Sequence, residues 1–211
     1  MKAVIIEKKK EEDLTKHLIY RNISRFITPF LYWSRVHPDL ISLLQLGLAA
    51  VTTAAISISP VFVFLIVQAM LVCDCVDGEL ARLYKRKGTS GVWVDATVNF
   101  FSLILVMSSA AMYLPEQSKL LVSILGLSLF SFYLSEMKKF YMKQKHREVV
   151  LSKHFHFGGT SFWCVISLIF ILPLSIVNYY ILFLLGAMAL YTTFTFFKHF
   201  SIIAPDDDLT N

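Results

Sequence analysis

Apolar residues fall into six long runs along this chain, at about 39–58, 61–83, 92–114, 119–137, 159–175 and 177–197. A helix of roughly 20 such residues crosses the hydrocarbon core of a bilayer, so each run predicts a transmembrane helix. Proline-containing breaks divide them. Pro60 separates the first two, Leu114 to Lys119 the third and fourth, and Leu172 to Ser175 the last two. The runs lack the alternation and the roughly 10-residue spacing of barrel strands. The pattern predicts an all-α integral membrane fold with six transmembrane helices.

A different pattern precedes them. Residues 1–13 are rich in charge, and from Leu14 to Trp33 apolar positions recur at three and four residues: Leu18, Ile19, Ile23, Phe26, Ile27, Phe30 and Leu31. Lys16, Arg21 and Arg25 fall between them. Such a stripe predicts an N-terminal interfacial amphipathic helix, lying in the membrane surface with its aromatic side down. Pro29 is expected to kink or interrupt it. The charged N-terminus lacks the short apolar core of a cleavable signal peptide. The chain divides into a cytoplasmic N-terminus (1–38), a six-helix membrane domain (39–200) and a cytoplasmic tail (201–211), in which Asp206, Asp207 and Asp208 read as solvated.

Composition agrees with this setting. The 211 residues are 56% hydrophobic and 17% charged, with a mean hydropathy of +0.61, where soluble domains carry about 25% charge. The spans leave too little chain for a second domain. Of the lysines and arginines only Lys119 falls on one side of the membrane; the rest lie in residues 1–38, 82–87 and 138–153 and at Lys198. Basic loops stay in the cytoplasm, which puts both termini and the 82–91 loop there. That asymmetry accounts for the net charge of +5, so nucleic-acid binding is the weaker explanation.

Acidic residues inside apolar spans change the picture most. Asp74 lies about 13 Å deep at ~1.5 Å per residue, and a carboxylate at the centre of a membrane helix costs about 2.5–3.5 kcal/mol. Asp74 and Asp77 are three residues apart and share a helix face, which Gly78 and Ala81 continue with minimal side chains. Asp95 and Asn99 are four apart at the start of the third span, again on one face, and the basic loop of 83–91 brings the two faces together. Three aspartates in a low-dielectric site require cations or cationic partners. Oxygen ligands favour Mg²⁺, Mn²⁺ or Ca²⁺. Internal pairing with Arg82 could silence one carboxylate but not three.

The stretch Asp74-x-x-Asp77-Gly78-x-x-Ala81-Arg82, then Gly91, Asp95 and Asn99 at fixed spacing, resembles the signature of the CDP-alcohol phosphotransferase family. The six-span organisation extends the resemblance. It implies transfer of a phosphatidyl or phospho-alcohol group from a CDP-alcohol, such as CDP-diacylglycerol, to an acceptor hydroxyl with release of CMP. It further implies two Mg²⁺ ions (or Mn²⁺) held by Asp74, Asp77, Asp95 and the residue at position 99. Asp74, Asp77, Gly78, Ala81, Arg82 and Gly91 would bind the CDP moiety. A homodimer and a cytoplasmic active site also follow from the resemblance, the partners being a CDP-linked lipid or alcohol and the bilayer. The Arg21-Asn-Ile-Ser24-Arg25-Phe stretch with His37-Pro38-Asp39 is similar to members that use inositol-phosphate-like acceptors, though Asp39 stands where many relatives have asparagine.

Asn99 departs from the family pattern, which has an aspartate there as metal ligand and general base. An amide can offer its carbonyl oxygen to a metal but is not a useful base. Three explanations remain open: deliberate replacement of an aspartate, a natural member with diverged or lost activity, or an enzyme whose base lies elsewhere. A catalytically inactive relative or a divalent-cation transporter is the alternative class. Between spans four and five, Lys138, Lys139, Arg147 and His154, with Gly158 and Gly159 opening the fifth helix, read either as a headgroup-facing loop or as a phosphate pocket for the acceptor. Cys73 and Cys75 read as apolar filler without zinc spacing. Gly47, Gly126 and Gly186 are expected at close helix contacts.

Overall fold

A computed structural model describes residues 19–85, 89–129 and 159–203, all of whose regular structure is helical, with no strand among them. Residues 14–18 of the expected interfacial helix, residues 130–137 of the fourth span, and Lys138, Lys139, Arg147, His154 and Gly158 lie outside the described residues.

The first helix, α1 (Arg21–Trp33), continues a short π-helical turn at Ile19 and Tyr20. Pro29 does not interrupt it. Proline removes one backbone donor and frees one carbonyl, that of Arg25. Arg25 and Pro29 are both exposed, where that carbonyl can be solvated. The helix closes in a Schellman motif: Val36 N–H donates to Leu31 O at 3.0 Å, Arg35 N–H to Tyr32 O at 3.1 Å, and Arg35 takes φ 57°.

Prolines start the next two helices, where a missing N–H costs nothing. Helix α2 (Pro38–Ala55) has Asp39 in its first turn, favourable to the helix dipole. Helix α3 (Pro60–Leu83) is capped by Ser59, whose hydroxyl accepts from Val61 N–H at 3.2 Å. Next come α4 (Thr89–Tyr113) and α5 (116–129), parted by Leu114 and Pro115. Helix α6 (Gly159–Ser167) tightens into a 3₁₀ turn at Leu168–Phe170, and α7 (Leu174–Ile203) follows. The fifth apolar run therefore stops short of residue 175, because Pro173 cannot continue a helix and biases Leu172 away from one.

Among the described residues three helices are long and apolar enough to cross a membrane, Pro38–Ala55, Pro60–Leu83 and Leu174–Tyr191, and Thr97–Tyr113 is a shorter apolar helix. Each buries one face and turns large apolar side chains outward, such as Leu43 and Val51 on α2, Phe62 and Leu65 on α3, and Phe183 and Leu190 on α7. In water such a surface would be a liability; against lipid tails it is neutral. The described residues are those of an all-helical integral membrane protein.

One apolar core joins α2 to α7, with Val63, Val67 and Met70 of α3, Val106 of α4, Leu125 of α5, Ile169 and Phe170, and Ile181 of α7. Side-chain hydrogen bonds tie the same helices: Thr52 to Ser109 at 2.9 Å, Gln68 Nε2 to Ser167 Oγ at 2.8 Å, Ser118 Oγ to Asn178 Oδ1 at 2.5 Å. Helix α2 packs along both α3 and α4, which meet each other only marginally. Among the described residues a Cβ at Gly47 or Gly186 would meet nothing within 4 Å, whereas Gly126 lies in ordinary contact with Met107.

Candidate active site

Toward the C-terminal end of α3 and the start of α4, the buried surface turns from apolar to polar. Helix α2 supplies the common wall. Its buried residues Ser42, Gln45, Ala49 and Thr52 are spaced by three, four and three, a single stripe. Ser42 Oγ donates to Asp77 Oδ2 of α3 at 2.8 Å, and Asp77 is only 7% exposed. One turn further on, Gln45 Nε2 donates to Asn99 Oδ1 of α4 at 2.8 Å. Asn99 Nδ2 in turn donates to Asp95 Oδ1 at 2.8 Å. Both ends of the Asn99 amide are thus engaged. Reversing that amide would set its oxygen against the Asp95 carboxylate oxygen, so the hydrogen-bond chain fixes the orientation.

Of the expected site residues, Asp77, Asp95 and Asn99 are brought to one polar stripe, in two groups. Asp77 hangs on Ser42, and Asp95 hangs on Asn99 and Gln45. Asp74, Ala81 and Arg82 are half-buried on α3. A Cβ at Gly78 would lie 3.5 Å from Arg82 Nη1, so the space beside this glycine is bounded by a guanidinium of its own helix. Gly91 sits in the first turn of α4 and Gly159 opens α6.

A hard divalent cation is what the resemblance implies here. The donors are carboxylate, amide and hydroxyl oxygens, right in kind for Mg²⁺ or Mn²⁺. Among the described residues, however, no three histidine, cysteine, aspartate or glutamate side chains gather closely enough to hold a metal ion. The Gln45 carbonyl oxygen is buried without a donor, so the cluster can accept one further hydrogen bond. Cys75 packs with Tyr20 and Leu71, and Cys73 against Ile41, Val76 and Leu80, all as apolar filler.

Ser42, Gln45 and Glu79 went unread in the sequence. The stripe on α2 and a further acid inside an apolar span were the available signals. Glu79 is buried, and its two carboxylate oxygens accept from Ser24 Oγ at 2.8 Å and Thr28 Oγ1 at 2.6 Å. These hydroxyls lie on the inward face of α1 with Arg21, while Ile23, Phe26, Phe30 and Trp33 point outward. The amphipathic helix thus presents polar groups to the protein and aromatic groups to its surroundings, as a helix at a lipid surface requires.

The combination defines a membrane protein with a stripe of acid, amide and hydroxyl side chains at one end of an apolar helical bundle. The family model described as CDP-alcohol phosphatidyltransferase matches residues 35–197, and the chain belongs to that family. The matched range takes in all of α2, α3 and α4, and hence every residue of the polar stripe. A search of curated proteins finds no match to the chain. The family's members transfer a phosphatidyl group from a CDP-alcohol, which places this chain among the transferases.

Proposed function

We propose that the protein is a slow phospholipid-synthesis enzyme that transfers a phosphatidyl or phospho-alcohol group from a CDP-alcohol, such as CDP-diacylglycerol, to an acceptor hydroxyl. The observation that carries this reading is the meeting of motif residues from α3 and α4 on the polar stripe of α2. In the reaction the acceptor oxygen forms a bond to the donor phosphorus that bears the alcohol. The bond from that phosphorus to CMP breaks, and CMP leaves with the electron pair. A cation of the Mg²⁺ or Mn²⁺ class, held by Asp74 and Asp77, would neutralise the diphosphate. Gly78, Ala81 and Arg82 would lie along the nucleotide.

The proton of the acceptor hydroxyl must leave, and the Asn99 amide cannot take it. Asp95, oriented by Asn99, is the carboxylate we assign to that task. A well-placed general base contributes about 10²–10⁴-fold, so a base held at one remove leaves turnover low. The acceptor we favour is a phosphorylated polyol, on the strength of the Arg21–Phe26 stretch, with the site facing the cytoplasm as the basic loops suggest.

Release of CMP from CDP-diacylglycerol, measured on purified wild type and Asn99→Asp across a panel of acceptor head groups, tests the reading. The variant is expected to release CMP at least ~10²-fold faster with one acceptor. Equal rates for the two proteins would overturn the role given to Asn99. No metal-dependent CMP release by either would overturn the transferase reading.

A further inference from the structure

We propose that the adjoining C-terminal ends of α1 and α3 bind the headgroup phosphate of an anionic phospholipid, with Arg35 and Lys85 as its cationic partners. The two ends meet through aromatic rings: the Tyr32 and Tyr84 centroids lie 5.1 Å apart. Tyr32 O accepts from Arg35 N–H at 3.1 Å and from the Tyr84 hydroxyl at 3.5 Å. Lys85 follows Tyr84 directly, its N–H donating to Arg82 O at 3.0 Å. Both cations are exposed, and among the described residues neither belongs to an ion pair. Helix α3 is long and apolar enough to span the bilayer, so its end lies at the membrane surface. Phe30 and Trp33 of α1 are also largely exposed beside it. The proposal is independent of the transferase reading.

Backbone geometry separates this role from a structural one. Among the described residues, Arg35 and Lys85 are the two non-glycine residues with positive φ, 57° and 52°. Glycine is the ordinary occupant of that left-handed position after a helix, because a Cβ is strained there. Strain kept at a non-glycine residue points to work done by its side chain. Neutralising the helix dipoles does not account for it, since a cation in the last turn serves that purpose without positive φ. Helix α3 already has Arg82 in its last turn. An anionic lipid satisfies both halves of this surface at once, with its phosphate against Arg35 and Lys85 and its acyl chains against Phe30 and Trp33. A free phosphate would use the cations alone.

Lipid binding to the purified full chain in detergent, read by native mass spectrometry, tests the proposal. Phosphatidylglycerol is expected to bind more tightly than phosphatidylcholine. A cation near a membrane surface strengthens attraction to anionic lipid about fivefold, so Arg35→Gly and Lys85→Gly should each weaken phosphatidylglycerol binding by about that factor, and the double variant by about 25-fold. Phosphatidylcholine binding should not change. Because glycine suits both backbone positions, Tm should hold or rise. Arg35→Lys combined with Lys85→Arg keeps both charges and should bind as wild type does. Equal affinity of wild type for the two lipids, undiminished phosphatidylglycerol binding by the double glycine variant, or loss of binding in the charge-conserving swap would each overturn the proposal. So would a fall in Tm with binding unchanged, which would assign the cations to the helix ends. Displacement of the lipid by equimolar inorganic phosphate would overturn it too, assigning them to a free anion.

Discussion

Glu79 fastens the surface helix to the motif helix, and Glu79→Ala should release it. The carboxylate accepts from two hydroxyls whose residues, Ser24 and Thr28, are 0% and 3% exposed. Hydrogen bonds to a charged group contribute about 1.5–3 kcal/mol each, so the pair holds α1 by about 3–6 kcal/mol. Ser24 Oγ has a fallback acceptor in Arg21 O at 3.2 Å, which moves the expected loss to the lower end, about 3 kcal/mol. A tenfold change corresponds to about 1.4 kcal/mol, so opening of α1 should rise about 100-fold. Once detached, a helix of 13 residues is marginal on its own. Hydrogen exchange in detergent micelles should then accelerate over residues 21–33 while the buried half of α3 stays protected. Adding Ser24→Ala and Thr28→Val to Glu79→Ala should cost little more, since all three act on one contact. Unchanged exchange in α1, or equal acceleration in α1 and α3, would refute the latch.

Gly78→Ala should separate folding from function. The added methyl meets only Arg82 Nη1 at 3.5 Å, and alanine favours a helix interior by about 1 kcal/mol, so Tm should hold or rise while CMP release falls. Asp77→Asn should abolish Mn²⁺ binding and cut CMP release by more than about 10²-fold. Ser42→Ala, which removes only a donor to that carboxylate, should cost about tenfold, as a loss near 1.5 kcal/mol implies. Thr52→Val breaks the hydroxyl pair between α2 and α4 but leaves Ser109 bonded to Leu105 O at 3.0 Å. Its cost by thermal unfolding should stay below about 1.5 kcal/mol.

The apolar runs foretold α2 and α3 closely because prolines at 38 and 60 mark both starts, and helix starts are where proline is informative. They misplaced the end of the fifth run because hydrophobicity continues past Phe170 although the backbone turns. Pro29 does not interrupt α1, because its steric rule is local and the freed carbonyl lies on an exposed face that can tolerate it. The carboxylates at 74, 77 and 95 were legible because charge inside a span is conspicuous. Their partners were not, because Ser42, Gln45, Ser24 and Thr28 are ordinary residues whose role arises from pairing across 35 to 55 positions of chain. Gly47 and Gly186 have no close neighbour among the described residues, since small residues signal close contact only where another helix is there to use it.

Helix α2 stands between the two helices that carry the family's motif, much as a shim sets the gap of a jaw. Its side chains at 42 and 45 reach one to each of those helices, Ser42 to Asp77 and Gln45 to Asn99. Substitutions at these two positions therefore change the polar contacts of Asp77 and Asn99 while every motif residue stays as it is.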